Sequence, residues 1–557
     1  MKTGLILIAL FIGQVCYAQV ENVPLNHQIY DYLKEMKVKH VIGSTHDDSP
    51  NLSRLEVQNF LIEIRKEIKI LSATEKNLLI KYEAEFFEDE ITEDKHWQML
   101  NYKDGFWDNL GKFDKDKIKY LYAYKDENVK AYFEGTAHFI FGQQYKPQKT
   151  NSELYDIGFR FRGTLLEKFG FYFSLEKGGI SGSKNFASIV EPRLNTNFKF
   201  IEDMENVANY DYVNGYVNYY SQPVKNMHVS LQFGREQLKF GYGYGSKFVI
   251  SGDNPNMDFL KFNFRYGFVD YTTIHASTVG EFNFDRSQNF TKYIALNKFG
   301  FLVNDKLRLG IGNSIVYSGR GLDFAYLNPF TFYKFVEMSI QDRDNGTVFF
   351  DIQSNHIKNL ELQASFFMDE NFLNKLGEMS RFSNKTAYQL GAFWYEPFSI
   401  PDVSLIFEYT KIRPYTYSHI SGNDSYTSFG TNLGHRIGPN SDEILTKLSY
   451  NLCENIRFNA EYSFVRSGEN ILSPEGIIIK NVGGDVFEPH IELRDSEEAV
   501  FLDGIRINSN ILLLNLRFEP IRDLSFDIYY KYIFEENITH NFKNDLNYGY
   551  IKMTAEF

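Results

Sequence analysis

From about residue 129 to its last residue, this chain repeatedly alternates apolar and polar side chains with a period of two. In one such stretch Ile456, Phe458, Ala460, Tyr462 and Phe464 alternate with Arg457, Asn459, Glu461 and Ser463. Successive side chains of a β-strand point to opposite faces of its sheet, so each stretch predicts a strand with one apolar and one polar face. Many stretches run about ten residues, the length that a tilted strand needs to cross a bilayer.

The two faces of these predicted strands favour a membrane barrel over a soluble sandwich. The apolar face is rich in Phe and Leu, whereas the polar face carries charges even in the middle of a strand, which suits a wet interior better than a dry core. Aromatic residues make up 17% of the chain, with 52 Phe and 38 Tyr, while mean hydropathy is only −0.36. The fold class that we predict is all-β, an outer-membrane antiparallel β-barrel of about 18 strands over residues 126–557.

The last strand of the chain carries a signal of its own. Ile551, Met553, Ala555 and Phe557 alternate with polar residues, and the chain stops at this aromatic. Such a terminal strand resembles the signature that the barrel-assembly machinery reads. We therefore expect that machinery as a partner during biogenesis, and outer-membrane lipid as the solvent of the apolar face.

The first 18 residues are typical of a secretory signal peptide. Lys2 precedes an apolar run from Leu5 to Ile12, and Ala18 provides a small residue before the predicted cleavage site. The run is shorter than the ~20 residues of a membrane-spanning helix. Export, together with the barrel pattern, predicts the outer membrane of a Gram-negative bacterium as the location.

Residues 19–125 follow a different pattern and predict a helical periplasmic domain with a linker. Apolar residues recur there at helical spacing, and Ser53 with Glu56 and Ser72 with Glu75 have the spacing of capping boxes. The segment 103–119 is highly charged and is typical of a linker. Two or three helices are expected, either meeting periplasmic partners or plugging the barrel mouth.

Several function classes have no support in the sequence. The formal charge of −13 argues against nucleic acid as a partner. The chain contains no G-x-S-x-G elbow, phosphate loop, H-E-x-x-H or C-x-x-C motif, so we expect no enzyme activity, no cofactor and no bound metal. The glycine-rich run 241–245 does not open a helix and is interpreted as a strand end with tight backbone geometry.

Several stretches of the chain stand in a distinctive order and spacing. They include Phe233-Gly234-Arg235-Glu236 followed by the run 241–245, then 307–312, Tyr326-Leu327-Asn328-Pro329-Phe330, and 433–443. In this order and spacing they resemble the Wzi capsule-assembly family. The N-terminal helical pattern is similar to the forms with a periplasmic extension, so the resemblance spans nearly the whole mature chain. One departure is Phe240-Gly241-Tyr242, where the family pattern has tryptophan, glycine and proline.

The resemblance implies an outer-membrane lectin that organises capsule or exopolysaccharide at the cell surface without catalysis, with a possible link to gliding motility. Carbohydrate sites combine aromatic platforms with planar polar donors, because sugars present apolar ring faces and many hydroxyls. Such residue types occur in the family-like stretches and in the long predicted loop 317–345. We therefore expect carbohydrate contacts from Arg235, Tyr242, Tyr244, Tyr317, Arg320, Tyr326, Asn328 and Asn345.

Two other functions remain open from the sequence. An outer-membrane diffusion channel or transporter shares every fold-level feature. An outer-membrane hydrolase could use His435, Ser441 and Asp442 on the outward rim. Alternation also places several basic residues on the polar face, either as a track for an anionic polymer or as partners in internal ion pairs; these are Arg160, Arg162, Lys261, Arg265, Arg308, Arg457 and Arg517.

Overall fold

The computed structural model describes residues 19–87, 96–98, 120–197, 200, 204, 206–280, 290–340, 344–369 and 380–556. The predicted signal peptide 1–18 and the predicted linker segment 103–119 lie outside these residues. In the described part of the chain, no helix combines the length and the apolar character needed to cross a membrane.

Eighteen antiparallel strands form one closed barrel. They are β1 Val129–Lys146, β2 Thr150–Leu165, β3 Phe169–Gly182, β4 Asn209–Ser221, β5 Met227–Glu236, β6 Met257–Tyr266, β7 Val269–Val279, β8 Thr291–Asn304, β9 Leu307–Ser318, β10 Asn345–Ile357, β11 Leu360–Asp369, β12 Lys385–Tyr395, β13 Val403–Ile412, β14 Ser441–Cys453, β15 Ile456–Glu469, β16 Ile505–Ile521, β17 Leu524–Asn537 and β18 Phe542–Glu556. Each strand pairs with the next, and β18 pairs with β1 to close the barrel. Two short strands, Tyr122–Lys125 and His96–Gln98, add to the same sheet beside β1. The predicted barrel of about 18 strands is confirmed.

The alternation of the sequence becomes an inner and an outer wall. In β11, Leu362 faces outward and is 46% exposed, whereas its neighbour Glu361 faces the interior and is fully buried. The same contrast recurs on other strands, where outward Ile157 is 71% exposed and inward Asp156 is buried. Closure removes the unpaired edges that an open sheet would present, so no free strand edge of the barrel faces the membrane.

The two ends of the barrel differ in the length of their connections. One end, the short-turn end, joins strands through brief turns such as 267–268, 305–306 and 358–359. The opposite end, the long-loop end, carries the connections 183–208, 237–256, 319–344, 413–440 and 470–504. Barrels of the outer membrane place short turns on the periplasmic side and long loops outside.

Three helices precede the barrel, α1 Ile29–Val38, α2 Arg54–Lys66 and α3 Ala73–Phe86, with a 3-10 turn at Ile68–Ile70. Both predicted capping boxes are confirmed. The Ser53 and Ser72 hydroxyls each accept a hydrogen bond from the backbone amide of the glutamate three residues later, and the carboxylate of that glutamate accepts one from the backbone amide of the serine. The helices share one apolar core that continues onto Phe393 and Tyr395 of β12. This helical unit, residues 19–87, therefore packs inside the barrel at its short-turn end.

Short helical segments lie in the long connections: α4 Lys184–Val190, α5 Phe324–Leu327 and α6 Tyr333–Ser339, with 3-10 turns at Pro192–Thr196 and Gly422–Asp424. A further 3-10 turn, Pro397–Ser399, joins β12 to β13 at the short-turn end. Connection 237–256 turns into the barrel, where Phe240, Phe248 and Ile250 join an apolar cluster with inward residues of the wall. Its glycine-rich run needs an unusual backbone, because Gly243 has φ of 136° and a Cβ there would lie 2.2 Å from the carbonyl oxygen of Ser246. Much of the interior is thus occupied by protein.

Candidate functional site

Inward-facing basic residues of the barrel wall are paired with acidic groups, many of them in the helical unit. Arg308 contacts Asp48 at 3.1 Å and Asp270 at 2.6 Å, and Arg265 pairs with Glu56. Further pairs on the wall and in the unit are Arg160 with Glu134 and Glu556, Arg162 with Glu21 and Glu134, Arg457 with Glu35, and Arg517 with Asp527. Among the predicted basic track, most members therefore act in internal ion pairs.

The electrostatics of the helical unit follow from this pairing. Burial alone would raise the pKa of the Asp48 carboxyl, but Arg308 and Lys298 hold it well below its usual range. Lys34 and Lys37 likewise hold the pKa of the Asp47 carboxyl well below its usual range. Both lysines also form ion pairs with Glu361 on β11. The Asp47 and Asp48 carboxylates therefore stay ionised across the physiological range, and their ion pairs hold the helical unit against the wall.

One sector of the inner wall is built differently. The strand register arranges fifteen inward residues of β14 to β18 in three rows, here termed the β14–β18 wall. The rows are Lys447, Glu461, Leu513, Lys531, Tyr548; then Ser449, Asn459, Asn515, Tyr529, Tyr550; then Asn451, Arg457, Arg517, Asp527, Lys552. The middle row is a ladder of a hydroxyl, two amides and two phenols, which are the groups that hydrogen-bond and stack on sugars.

Contacts within this middle row fix its geometry. The Tyr529 and Tyr550 rings stack with centroids 4.5 Å apart and planes 21° apart. Asn459 donates to Asn515 Oδ1 at 3.1 Å, and Ser449 donates to Asn459 at 2.7 Å. Both tyrosines are half-buried, so their rings are partly open to the interior.

Two lysines flank the tyrosine pair. Lys531 and Lys552 are half-buried, and neither has a carboxylate oxygen within 4.0 Å among the described residues. Lys531 interacts electrostatically at longer range with two groups, the Arg436 cation and the Glu461 carboxylate. Lys552 and Tyr529 also line a cavity of about 380 Å³ between the wall and the helical unit. This is within the size range of ligand pockets, about 300–1,000 Å³.

Of the predicted carbohydrate residues, Tyr242 and Tyr244 lie in the inward connection 237–256. The Tyr242 ring is buried under Lys298 Nζ, 4.7 Å from the ring centroid. The Tyr244 hydroxyl donates to Glu361 Oε1 at 3.0 Å, and its backbone amide donates to Glu408 at 2.7 Å. The tight backbone expected for the run 241–245 is present, but it follows β5 as part of an interior segment.

A second group of predicted residues surrounds Asp344. Arg320 forms a bidentate pair with this carboxylate at 2.8 and 2.6 Å, and the Tyr326 hydroxyl donates to it at 2.6 Å. Tyr317 is fully buried beneath the Arg320 guanidinium, whose carbon lies 4.7 Å from the ring centroid. The structure thus brings these three side chains together, with each polar group already bonded to protein.

The other predicted residues are separate from these groups. Asn345 is buried, and its amide donates to the carbonyl of Asp424 at 3.0 Å. Asn328 is exposed in connection 319–344. Arg235 is the residue before the last of β5 and lies on its outward face, with the side chain 52% exposed and 3.5 Å from Asp258. Ligand contact by any of the eight residues stays a prediction.

Sequence reasoning missed the β14–β18 wall as a site. The alternation of Asn459 and Glu461 with apolar neighbours was evident, as was that of Tyr529 and Lys531. The signal that could have found the wall is the count of carboxylates on each predicted inner face. Lys447, Lys531 and Lys552 outnumber the acidic groups that the same rows offer them.

Two other groups of side chains have residue types that occur in metal or catalytic sites. His138, Asp156 and Glu176 place possible ligand atoms within 4.8 Å of one another, but His138 already bonds Asp156 and Glu176 pairs with Arg193. Of the hydrolase candidates, His435 is fully buried and Ser441 donates to the carbonyl of Pro439. Asp442 faces outward and binds Arg466, so these three side chains bond to other groups rather than to one another.

A solved barrel structure has a fold similar to that of this chain. Wzi of Escherichia coli, described as an outer membrane protein involved in group 1 capsule assembly and a carbohydrate-binding β-barrel, aligns with a TM-score of 0.56 at 12% identity. The alignment covers 97% of this chain and 99% of that one. OprD of Pseudomonas aeruginosa aligns with a TM-score of 0.42 at 11% identity, over 77% of this chain and 95% of that one. No curated protein sequence matches the chain.

Comparison with protein families identifies the chain more directly. The family model for capsule assembly protein Wzi matches residues 133–518. The matched range begins in β1 and ends in β16, and it includes connections 237–256 and 319–344. The chain therefore belongs to the Wzi family of capsule assembly proteins.

Proposed function

We propose that this protein binds a capsular or other extracellular polysaccharide and organises the polymer at the cell surface without catalysing a reaction. The observation that carries the proposal is the stacked Tyr529–Tyr550 pair between Lys531 and Lys552 on a half-buried inner wall. Phenol rings suit the apolar faces of sugar rings, and neighbouring amides suit their hydroxyls. The carbohydrate binding described for Escherichia coli Wzi, a barrel of similar fold, supports the same class of ligand.

The charge of the wall indicates the kind of polymer. Lysines without a carboxylate partner raise the local potential of a semi-enclosed surface, where water screens charge less than in bulk. An acidic polysaccharide, whose carboxylates could pair with Lys531 and Lys552, is therefore the preferred ligand class. Of the eight residues predicted from the sequence, Asn328 and Arg235 are exposed and remain candidates for contacts at the outer surface.

The orientation that fits this function places the long-loop end outside the cell and the helical unit on the periplasmic side. The short turns next to the helical unit support that orientation. It would also put the C-terminal strand β18 at the periplasmic end, where the barrel-assembly machinery works. A link to gliding motility stays a prediction.

The alternative of a diffusion channel is not favoured. The helical unit fills the short-turn end, and connection 237–256 crosses the interior above it. Porins of this strand number normally leave an aqueous passage, whereas here ion pairs such as Lys37–Glu361 join the plug to the wall.

The proposal is tested by retention of host polysaccharide on purified, immobilised barrel, with an unrelated neutral polysaccharide in parallel. We expect selective retention of the host polymer, weakened at least about fivefold in Lys531→Ala/Lys552→Ala. Retention should also fall with rising salt, because screening weakens charge contacts within a semi-open site.

Lys306→Ala/Lys358→Ala is the matched control, since both are exposed lysines in turns at the short-turn end. This variant also loses two positive charges, but outside the β14–β18 wall, and should retain polymer as the parent does. Equal retention by all variants would place the polymer elsewhere on the protein. No retention of host polymer by the parent would overturn the proposed function.

A further inference from the structure

The outer wall of the barrel has a polar interruption. One hydrogen-bonded row runs from Phe262 through Thr273, Asn297 and Asn313 to Val348. All five side chains point outward, because their chain neighbours, such as Lys298 and Ser314, bond to groups inside. Phenylalanine and valine suit a membrane-facing wall, but two asparagine side chains in hydrocarbon would be costly without partners.

Connection 319–344 covers this interruption from the outside. The Asn297 amide donates to the carbonyl of Thr331 at 2.8 Å, and the backbone amide of Tyr333 donates to Asn313 Oδ1 at 3.0 Å. Asn313 also donates to Asn297 at 2.6 Å, so both side chains are satisfied and buried. The connection is therefore packed on the barrel wall rather than extended away from its mouth.

The depth that the connection reaches follows from one contact. Phe330 stacks on the outward ring of Tyr271, with centroids 5.8 Å apart and planes 17° apart. Tyr271 is the third residue of β7, which begins at the short-turn end. The connection leaves β9 at Ser318, at the opposite end, and so it runs along most of the height of the wall.

The surface that the connection presents outward is apolar. Five of its side chains are more than half exposed: Leu322 at 55%, Phe324 at 84%, Phe330 at 76%, Phe335 at 71% and Met338 at 57%. Exposed apolar groups of this size are unfavourable in water, at roughly 25 cal/mol per Å². On the wall beneath, the exposed apolar pair Ile311 of β9 and Phe350 of β10 lies two residues along the strands from the covered Asn313–Val348 pair.

We propose that residues 319–340 form a lipid-contacting strap, in which the exposed apolar side chains lie among the acyl chains of the membrane while the backbone and Tyr333 seal the Asn297–Asn313 pair. Continuity with the apolar outer wall identifies acyl chains as the occupant. The helices of the strap, α5 and α6, are too short to cross a bilayer and instead lie against a wall that already does. The ion pair of Arg320 with Asp344 anchors the strap where it leaves the barrel.

The test is spin-label accessibility of single-cysteine variants in a Cys16→Ser/Cys453→Ser background, reconstituted in phosphatidylcholine vesicles. Labels at Phe330→Cys and Phe335→Cys should be reached by oxygen but protected from a water-soluble nickel chelate. Leu362→Cys, on the lipid-facing wall, gives the reference for acyl-chain contact. Leu493→Cys, in a fully exposed position of connection 470–504, gives the reference for water.

Strap labels that behave as the label at Leu493 does would overturn the proposal, because the connection would then lie in water. Dipolar broadening between identical labels, diluted away by unlabelled protein, would overturn acyl chains as the occupant in favour of a second copy of the chain. Circular dichroism of each labelled variant establishes that the barrel is folded before accessibility is compared. Lipid-like accessibility at both strap positions, without broadening, supports the strap.

Discussion

Lys37 Nζ of helix α1 lies 2.6 Å from Glu361 Oε2 on strand β11, and both side chains are almost completely buried. Their positions are 324 residues apart in the sequence, so the contact joins the helical unit to the barrel wall. Lys37 also lies 2.6 Å from Asp47, and Lys34 contacts the same two carboxylates. The four charges balance one another inside the barrel.

Removing one member of this group should loosen the helical unit. Lys37→Met leaves the fully buried Glu361 and the half-buried Asp47 with a single lysine, and breaking a buried pair costs about 3–5 kcal/mol. We expect hydrogen exchange of α1 to accelerate by more than tenfold and conductance in planar bilayers to increase. Lys66→Met, at the exposed end of α2, is the control and should change neither quantity. Unaltered protection of α1 in Lys37→Met would show that the pair does not hold the unit.

Docking of the helical unit should depend on pH through Glu35. Burial raises the pKa of this α1 carboxyl to about 7, and Arg457, 3.2 Å away, opposes the rise only in part. In a released helical unit the pKa would return towards 4.5. The docked state therefore holds the proton more tightly, and docking weakens as pH rises from about 4.5 to about 7.

The size of this effect is about 3 kcal/mol over the full window, at roughly 1.4 kcal/mol for each pKa unit. It is measured as hydrogen exchange of α1 at several pH values, corrected for the intrinsic exchange rate. Glu35→Gln should remove most of the dependence. A dependence that persists in this variant, or docking that strengthens with pH, would contradict the assignment to Glu35.

Some of this architecture could be predicted from the sequence because it depends on local pattern. The inward and outward faces follow from the period of two, as at Glu361 and Leu362. The helix starts follow from capping boxes, as at Ser53 and Ser72. In each case the determining residues lie within a few positions of one another, so propensity and patterning agree with the final fold.

The direction that each long connection takes could not be predicted in this way. Tyr317, Arg320 and Tyr326 have the chemistry of a sugar site, but the same groups equally satisfy Asp344 and one another. The choice depends on Asn297 and Asn313, whose outward polar side chains need cover. Partners of this kind lie on other strands, and a single sequence does not show which strands will be neighbours of a connection.

Asn440 should control the order of connection 470–504. Its side-chain amide donates to the carbonyls of Gly468 at 2.8 Å and Asp503 at 3.2 Å, and its Oδ1 accepts from the amide of Leu502 at 2.7 Å. The residue also has φ of 52°, a left-handed conformation that asparagine tolerates better than most residues.

Two substitutions separate the bonds from the backbone. Asn440→Gly keeps the conformation but loses three hydrogen bonds, at a cost of about 3 kcal/mol. Asn440→Ala should cost about 1 kcal/mol more, because alanine is strained at this φ. Unfolding in detergent and hydrogen exchange of residues 501–504 measure both effects. If Asn440→Gly exchanged at the same rates as the parent protein, the hydrogen bonds of the Asn440 side chain would not contribute to the order of connection 470–504.

The tyrosine pair on the β14–β18 wall gives the sharpest separation of binding from folding. Tyr529→Ala removes one ring of the stacked pair, and the affinity for host polysaccharide should fall about three- to tenfold, the equivalent of roughly 0.6–1.4 kcal/mol. Tyr529→Phe keeps the ring and should lose little if stacking is the main contribution.

Tyr530→Ala is the matched control, since Tyr530 is the next residue of β17 but faces outward and is 38% exposed. It removes the same side chain from the same strand without touching the interior. Titration calorimetry with fragments of the host polymer measures the three variants. Equal losses for Tyr529→Ala and Tyr530→Ala would indicate a general effect on the strand. A loss confined to Tyr529→Ala, spared in Tyr529→Phe, places an aromatic contact to sugar on the inner wall.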